Sequence, residues 1–127
     1  MKRFFVILSI LFLCSGCMRK EEIVVKKTSL KEVSYSSVYH IINHYDLYQN
    51  ILILDVRDAD HYANGHIIGA SNVLVSDFED TDFDPDMRVI VYADGKRDSI
   101  VACRKLQKIG VDAEYLPGIS NYPYELV

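Results

Sequence analysis

Apolar residues fall along this chain in three patterns. Phe4 to Leu13 is one apolar run, interrupted only by Ser9. From Ser34 to Tyr48 the apolar positions recur at steps of three and four, at Val38, Ile41, Ile42, Tyr45 and Tyr48. That spacing puts them on one face of a helix, whose start Ser34, Ser36 or Ser37 can cap. The third pattern is the short continuous run, at Ile51-Leu52-Ile53-Leu54 and at Val89-Ile90-Val91-Tyr92. Runs without alternation suit strands covered on both faces, as in a parallel sheet. Asp58 to Ala63 predicts one or two helical turns, stopped at Asn64-Gly65, and Ser71 to Val75 a less regular strand. The turn Ala93-Asp94-Gly95-Lys96-Arg97 leads into a helix over Asp98–Ile109, capped by Asp98 or Ser99. Its buried face is read as Ala102, Cys103, Leu106 and Ile109; Arg104, Lys105 and Lys108 favour its C-terminal dipole, and Gly110 stops it. A strand at Ala113–Leu116 and a turn at Pro117-Gly118 follow. Helices alternating with buried strands predict an α/β domain with a mainly parallel sheet flanked by helices.

The apolar run near the start is too short to span a bilayer, and Lys2 and Arg3 precede it, so it reads as a secretory signal. It ends Leu13-Cys14-Ser15-Gly16-Cys17. Small residues ahead of a cysteine resemble the site where a bacterial lipoprotein precursor is acylated and cut, although Cys14 stands where an aliphatic residue is usual. The resemblance implies a signal peptide over 1–16, a fatty-acylated Cys17 with a tether through residue 33, and one domain over 34–127. Met18 to Leu30 is polar and basic, with Ile23-Val24-Val25 as its apolar run, and a short strand is expected there or near Val33.

Cleavage before Cys17 removes Lys2 and Arg3 and takes the formal charge from −4 to −6. An acidic surface argues against nucleic acid, whose affinity rests on cations that neutralise phosphates. Membrane attachment then comes from the lipid on Cys17, which places the domain in the bacterial cell envelope, outside the cytoplasm. The remaining length of about 110 residues suffices for one core and not for two. Of three cysteines, Cys14 leaves with the signal and Cys17 is blocked, so Cys103 stands alone and no disulfide framework is expected.

Three segments in series resemble the rhodanese-like domain family. Leu54-Asp55-Val56-Arg57 with Tyr62-Ala63-Asn64-Gly65-His66-Ile67-Ile68-Gly69-Ala70-Ser71-Asn72 is similar to its first signature, with Ile68 in place of a proline. Arg88 to Gly110 is similar to its strand, loop and helix; Leu116-Pro117-Gly118-Ile119-Ser120-Asn121-Tyr122 is similar to its closing motif, with one glycine missing and Tyr122 for tryptophan. The resemblance implies a sulfurtransferase fold in which a loop cysteine carries sulfane sulfur, stabilised as a thiolate by backbone N–H groups and a helix N-terminus.

That cysteine is missing: Ala93 occupies its slot. With Ala93–Asp98 as a six-residue loop, Asp98 stands where arginine is common and Lys96 where glycine is. A register one residue shorter matches Gly95 and Arg97 instead. Neither supplies a thiol, and an alanine methyl cannot become a nucleophile. Lys96 and Arg97 near a helix start favour an anion, while Asp94 and Asp98 bring the loop to zero formal charge, and Ser99 follows as a possible cap. The resemblance gives Asp55 a supporting role beneath the loop. Arg57 is expected to bind an anion or to pair with Asp58 or Asp60, and His66 to be a hydrogen-bonded structural histidine.

Elsewhere the chemistry is sparse. His40, His44 and His61 have no ligand spacing, and the acidic stretch Asp77–Asp86 fails as a calcium loop at Pro85 and Val91, so neither metal nor other cofactor is expected. Tyr115, Tyr122 and Tyr124 are read as packing residues. The expected function is a membrane-anchored, catalytically silent module that binds a protein partner or a small anion at the 93–98 loop. The alternative is a sulfurtransferase with a non-standard or partner-supplied thiol; a phosphatase relative is disfavoured, because that chemistry also needs a loop cysteine and arginine. The leader predicts incorporation of labelled fatty acid into the protein, abolished by Cys17→Ser; absence of label, or label that survives the substitution, contradicts it.

Overall fold

The structure is a computed structural model, described here over residues 29–127. The leader, Cys17 and the strand position at Ile23–Val25 lie outside the described residues. No helix among the described residues is long and apolar enough to cross a membrane.

Four strands form one parallel sheet: β1 (Ile51–Asp55), β2 (Ser71–Asn72), β3 (Arg88–Tyr92) and β4 (Asp112–Tyr115), in the order β2-β1-β3-β4. Helices α1 (Tyr35–Ile42), α2 (Ala59–Asn64) and α3 (Lys96–Lys108) complete the α/β architecture. The continuous apolar runs divide between two cores. Ile51, Ile53, Ile90 and Tyr92 face Val38 and Ile41 of α1, whereas Leu54, Val89 and Val91 face Ala102, Cys103 and Leu106 of α3. Burial on both faces explains why β1 and β3 show no polar alternation.

The chain enters at the edge of β4. The Val33 N–H donates to the Tyr115 carbonyl at 2.8 Å, and the Tyr115 N–H to the Lys31 carbonyl at 3.0 Å. Val33 is buried with the α1 core, so residues 31–33, grouped with the tether by sequence, cover the sheet edge.

Several boundaries differ from the sequence expectation. Helix α1 starts as expected, with Ser34 Oγ accepting from the Ser37 N–H, but ends at Ile42 instead of Tyr48. There the Asn43 side-chain amide donates to the Tyr39 carbonyl and the His44 ring nitrogen bonds the His40 carbonyl, each at 2.8 Å. Those polar side chains satisfy the last carbonyls, and the chain turns into a short 3₁₀ segment, Tyr45–Leu47. Strand β2 stops at Asn72, because Val75 already opens a 3₁₀ turn running to Asp80. Strand β4 takes in Asp112 and ends one residue early, at Tyr115. Helix α3 begins at Lys96, two residues before the expected Asp98, and Ile109 is its exposed C-terminal cap, not a core residue. Its buried stripe is Ser99, Ala102, Cys103 and Leu106, steps of three and four that include a hydroxyl.

Candidate functional site at the carboxyl edge of the sheet

β1 and β3 end side by side, with Asp55 in register with Tyr92, at the carboxyl edge where parallel sheets place their sites. Asp55 is fully buried, and its carboxylate is held by its neighbour two residues on. The Arg57 backbone N–H donates to Oδ1 at 2.8 Å, its Nε to Oδ1 at 3.1 Å and its Nη2 to Oδ2 at 2.7 Å. Nη2 also donates to the Gly65 carbonyl at 2.7 Å, Nη1 lies 3.7 Å from Asp94, and the guanidinium sits 5.8 Å from the Tyr92 ring centre. Burial opposes the charge on Arg57, but the bonds and charge of Asp55, with Tyr92 and Asp94, more than offset it and raise its pKa. Arg57 is thus an internal strut, and neither Asp58 nor Asp60 is its partner. Asp58 instead caps α2 and pairs with His61 at 2.9 Å; the contact lowers the Asp58 pKa and raises that of His61.

The same strut fixes the approach to α2. Asn72 donates to the Asp55 and Arg57 carbonyls, at 3.0 and 2.8 Å. The Tyr92 hydroxyl accepts the Ile67 N–H at 3.1 Å, while burial first, and then the neighbouring Asp55 carboxylate, push its pKa far up. His66 stacks on Tyr62 with ring centres 3.8 Å apart, and its Nδ1 bonds the Tyr62 carbonyl at 2.8 Å. Its ring therefore faces α2 and not the loop.

The loop between β3 and α3 comprises Ala93, Asp94 and Gly95, shorter than either sequence register, because Lys96, Arg97 and Asp98 form the first turn of α3. Ala93 is buried, and its N–H donates to Ser99 Oγ at 2.9 Å, which in turn donates to the Gly95 carbonyl at 2.9 Å. Ser99 therefore braces the loop from inside the first turns of the helix and does not cap it. On the outer side the Ile119 N–H donates to the Ala93 carbonyl and the Ser120 N–H to the Asp94 carbonyl. Gly118 (φ +137°) lies so close beneath that a Cβ there would fall 2.7 Å from the Asp94 carbonyl oxygen and the Gly95 Cα. Only glycine fits that approach.

The N–H groups of Lys96, Arg97 and Asp98 have no acceptor among the described residues, as expected of a first helical turn without a side-chain cap. Lys96 pairs with Glu32 at 3.5 Å, while Arg97 is exposed and has no ion-pair partner among the described residues. Asp94 and Asp98 are exposed as well. The remaining cysteine, Cys103, is fully buried, and burial, with Glu114 adding to it, pushes its thiol up to about 11. Among the described residues no three potential metal-ligating side chains gather into a group. Among the described residues, the edge therefore presents helix N–H groups without an acceptor and one cation without an ion-pair partner, with no thiol beside them.

Sequence reasoning leaves Tyr92 and Gly118 out of the site, although both hold it together. Tyr92 reads as a core residue because its hydroxyl partners come from elements distant in sequence. The one signal for Gly118 is its place in the closing motif.

The comparisons agree with this geometry. The family model for the rhodanese-like domain matches residues 41–122, and the chain belongs to that family. Solved structures similar to this chain include SSP1007 from Staphylococcus saprophyticus, at TM-score 0.66 and 19% identity over 76% of this chain and 98% of that one. A rhodanese-like domain protein from Staphylococcus aureus aligns at TM-score 0.65 and 20% identity, covering 76% and 96%. A rhodanese-related protein from Thermoplasma volcanium gives 0.64 and 19%, covering 76% and 97%. At these identities the likeness establishes the fold. No curated protein matches the sequence.

Removing one member of a buried ion pair leaves the other charged and unpaired, so Asp55→Ala is expected to lose roughly 3–5 kcal/mol of stability in urea unfolding. A loss below about 1 kcal/mol, the range of an exposed pair, contradicts the strut.

Proposed function

We propose that this chain is a lipid-anchored, catalytically silent rhodanese-like domain of a bacterial envelope, which binds an anionic group on a protein partner or a small anion at the Ala93–Asp98 segment. The observation that carries the reading is the buried Ala93 methyl at the start of a loop that keeps its bracing. Sulfane transfer needs a side chain that leaves and accepts sulfur as a thiolate, and alanine has none. Cys103 does not substitute, because a fully buried thiol with a raised pKa is protonated at neutral pH and closed to donors. Non-covalent recognition needs only the orphan N–H groups, the helix dipole and Arg97, and all three are present. Anchoring through Cys17 rests on the leader pattern, and the acidic balance of the chain agrees with attachment by lipid instead of by a basic surface.

The natural protein is expected to show no thiosulfate-to-cyanide sulfur transfer above background, and Ala93→Cys at most partial activity, because Asp94 and Asp98 oppose a thiolate. Titration with sulfate or thiosulfate is expected to give saturable amide shifts confined to residues 94–98, weakened in Arg97→Gln. Turnover by the natural protein that Cys103→Ser abolishes would favour the sulfurtransferase alternative, and unshifted amides would remove the anion reading.

A further inference from the structure

The solvent side of α3 carries charge that its own fold does not use. The buried stripe of the helix is Ser99, Ala102, Cys103 and Leu106. At 3.6 residues per turn, the positions across the helix axis from that stripe are Arg97, Val101, Arg104 and Lys108, with Lys105 beside them. All five are exposed, Val101 by 45%. At 1.5 Å per residue the four cations make a stripe about 16 Å long.

None of these cations has an ion-pair partner among the described residues. A solvated helix face ordinarily mixes signs, and opposite charges three or four residues apart steady it. Here Arg104 and Lys108, and Lys105 and Lys108, are like-charged neighbours at those steps, which costs the helix stability. The dipole accounts for Lys105 and Lys108 in the last turn, but Arg97 stands in the first turn, where the dipole disfavours a cation. Asp98, the one acid of the helix, lies off the stripe, and Asp94 is turned to Arg57.

The stripe is also narrow, in a chain of formal charge −4. The acidic stretch Asp77–Asp86 packs beside α3, since Phe78 and Phe83 share a core with Ala102, Cys103 and Leu106. Its six acids are exposed, without an ion-pair partner among the described residues. A bilayer surface or a nucleic-acid duplex would bring its phosphates over those carboxylates as well as over the stripe. A single acidic segment can lie on the stripe alone.

We propose that the outer face of α3, from Arg97 to Lys108, docks an acidic segment of a partner protein, with its carboxylates on one side about a helical turn apart and an apolar residue over Val101. Such a segment supplies the counter-charges that the helix lacks and relieves the repulsion along it. The contact is screened by salt. At its Arg97 end the proposal rests on the anion-binding reading of the loop and gives that anion its source; Arg104, Lys105 and Lys108 lie outside the loop site.

The test titrates the full-length protein, in uncharged detergent micelles, with a short peptide of alternating glutamate and alanine and with its glutamine counterpart, and follows amide shifts. The glutamate peptide is expected to shift amides along residues 97–108 saturably, with an affinity that falls several-fold in high salt. Arg104→Gln/Lys105→Gln/Lys108→Gln is expected to weaken that binding several-fold and to leave the response of residues 94–98 to sulfate unchanged, whereas Arg104→Lys binds as the natural protein does. Absence of binding, equal binding of the glutamine peptide, or unchanged binding in the triple variant overturns the proposal. Shifts along α3 produced by phosphatidylglycerol added to the micelles, and not by the peptide, also overturn it and assign the stripe to a membrane surface. Peptide binding at Arg104–Lys108 without any response of residues 94–98 to sulfate supports the stripe and removes the loop reading.

Discussion

A single buried ion pair holds the functional edge of this domain. Asp55 ends the central strand β1 with no exposed surface, and a bare carboxylate there would be strongly disfavoured. Arg57 satisfies it through its own backbone and two side-chain nitrogens, and then reaches Gly65 and Asp94 with what remains. One side chain thus ties the end of a strand, the turn after α2 and the loop before α3. Replacing such a pair by apolar residues often costs little, whereas breaking it costs much. Its value lies in position: it fixes where three separate segments meet.

On that platform the loop is braced twice. Ser99 holds it from within the helix, and the Gly118 turn supports it from outside through the Ile119 and Ser120 N–H groups. Neither brace involves a reactive group. The shape of the loop is therefore set by contacts that do not pass through the Ala93 side chain, and the first-turn N–H groups of α3 have no acceptor among the described residues.

Much of this was legible in the sequence, and the failures have physical causes. The unalternating runs at Ile51–Leu54 and Val89–Tyr92 report burial on two faces, so sheet and fold class follow from them directly. The serine cap of α1 and the glycine stop of α2 are local, and local signals read well. The end of α1 was lost because Tyr45 and Tyr48 keep the helical period, while Asn43 and His44 take over the carbonyls. The start of α3 was displaced because polar Lys96 and Arg97 look like turn residues, and a glycine cap leaves no side-chain signature. Sequence proximity points Arg57 to the adjacent acids Asp58 and Asp60, but the strand end buries Asp55 and directs the guanidinium back to it. The role of Ser99 as an inner brace depends on how strand and helix pack, which no spacing rule encodes.

The central claim is that this site recognises without forming a covalent bond to sulfur. The most direct measurement is the intact mass of the folded domain after incubation with a sulfane donor, followed by peptide mapping of residues 88–110. The account predicts no added sulfur atom on that segment, since Ala93 offers none and the Cys103 thiol is sealed in the core. A sulfur adduct on Cys103 that forms in the native protein and is discharged by an acceptor would contradict it.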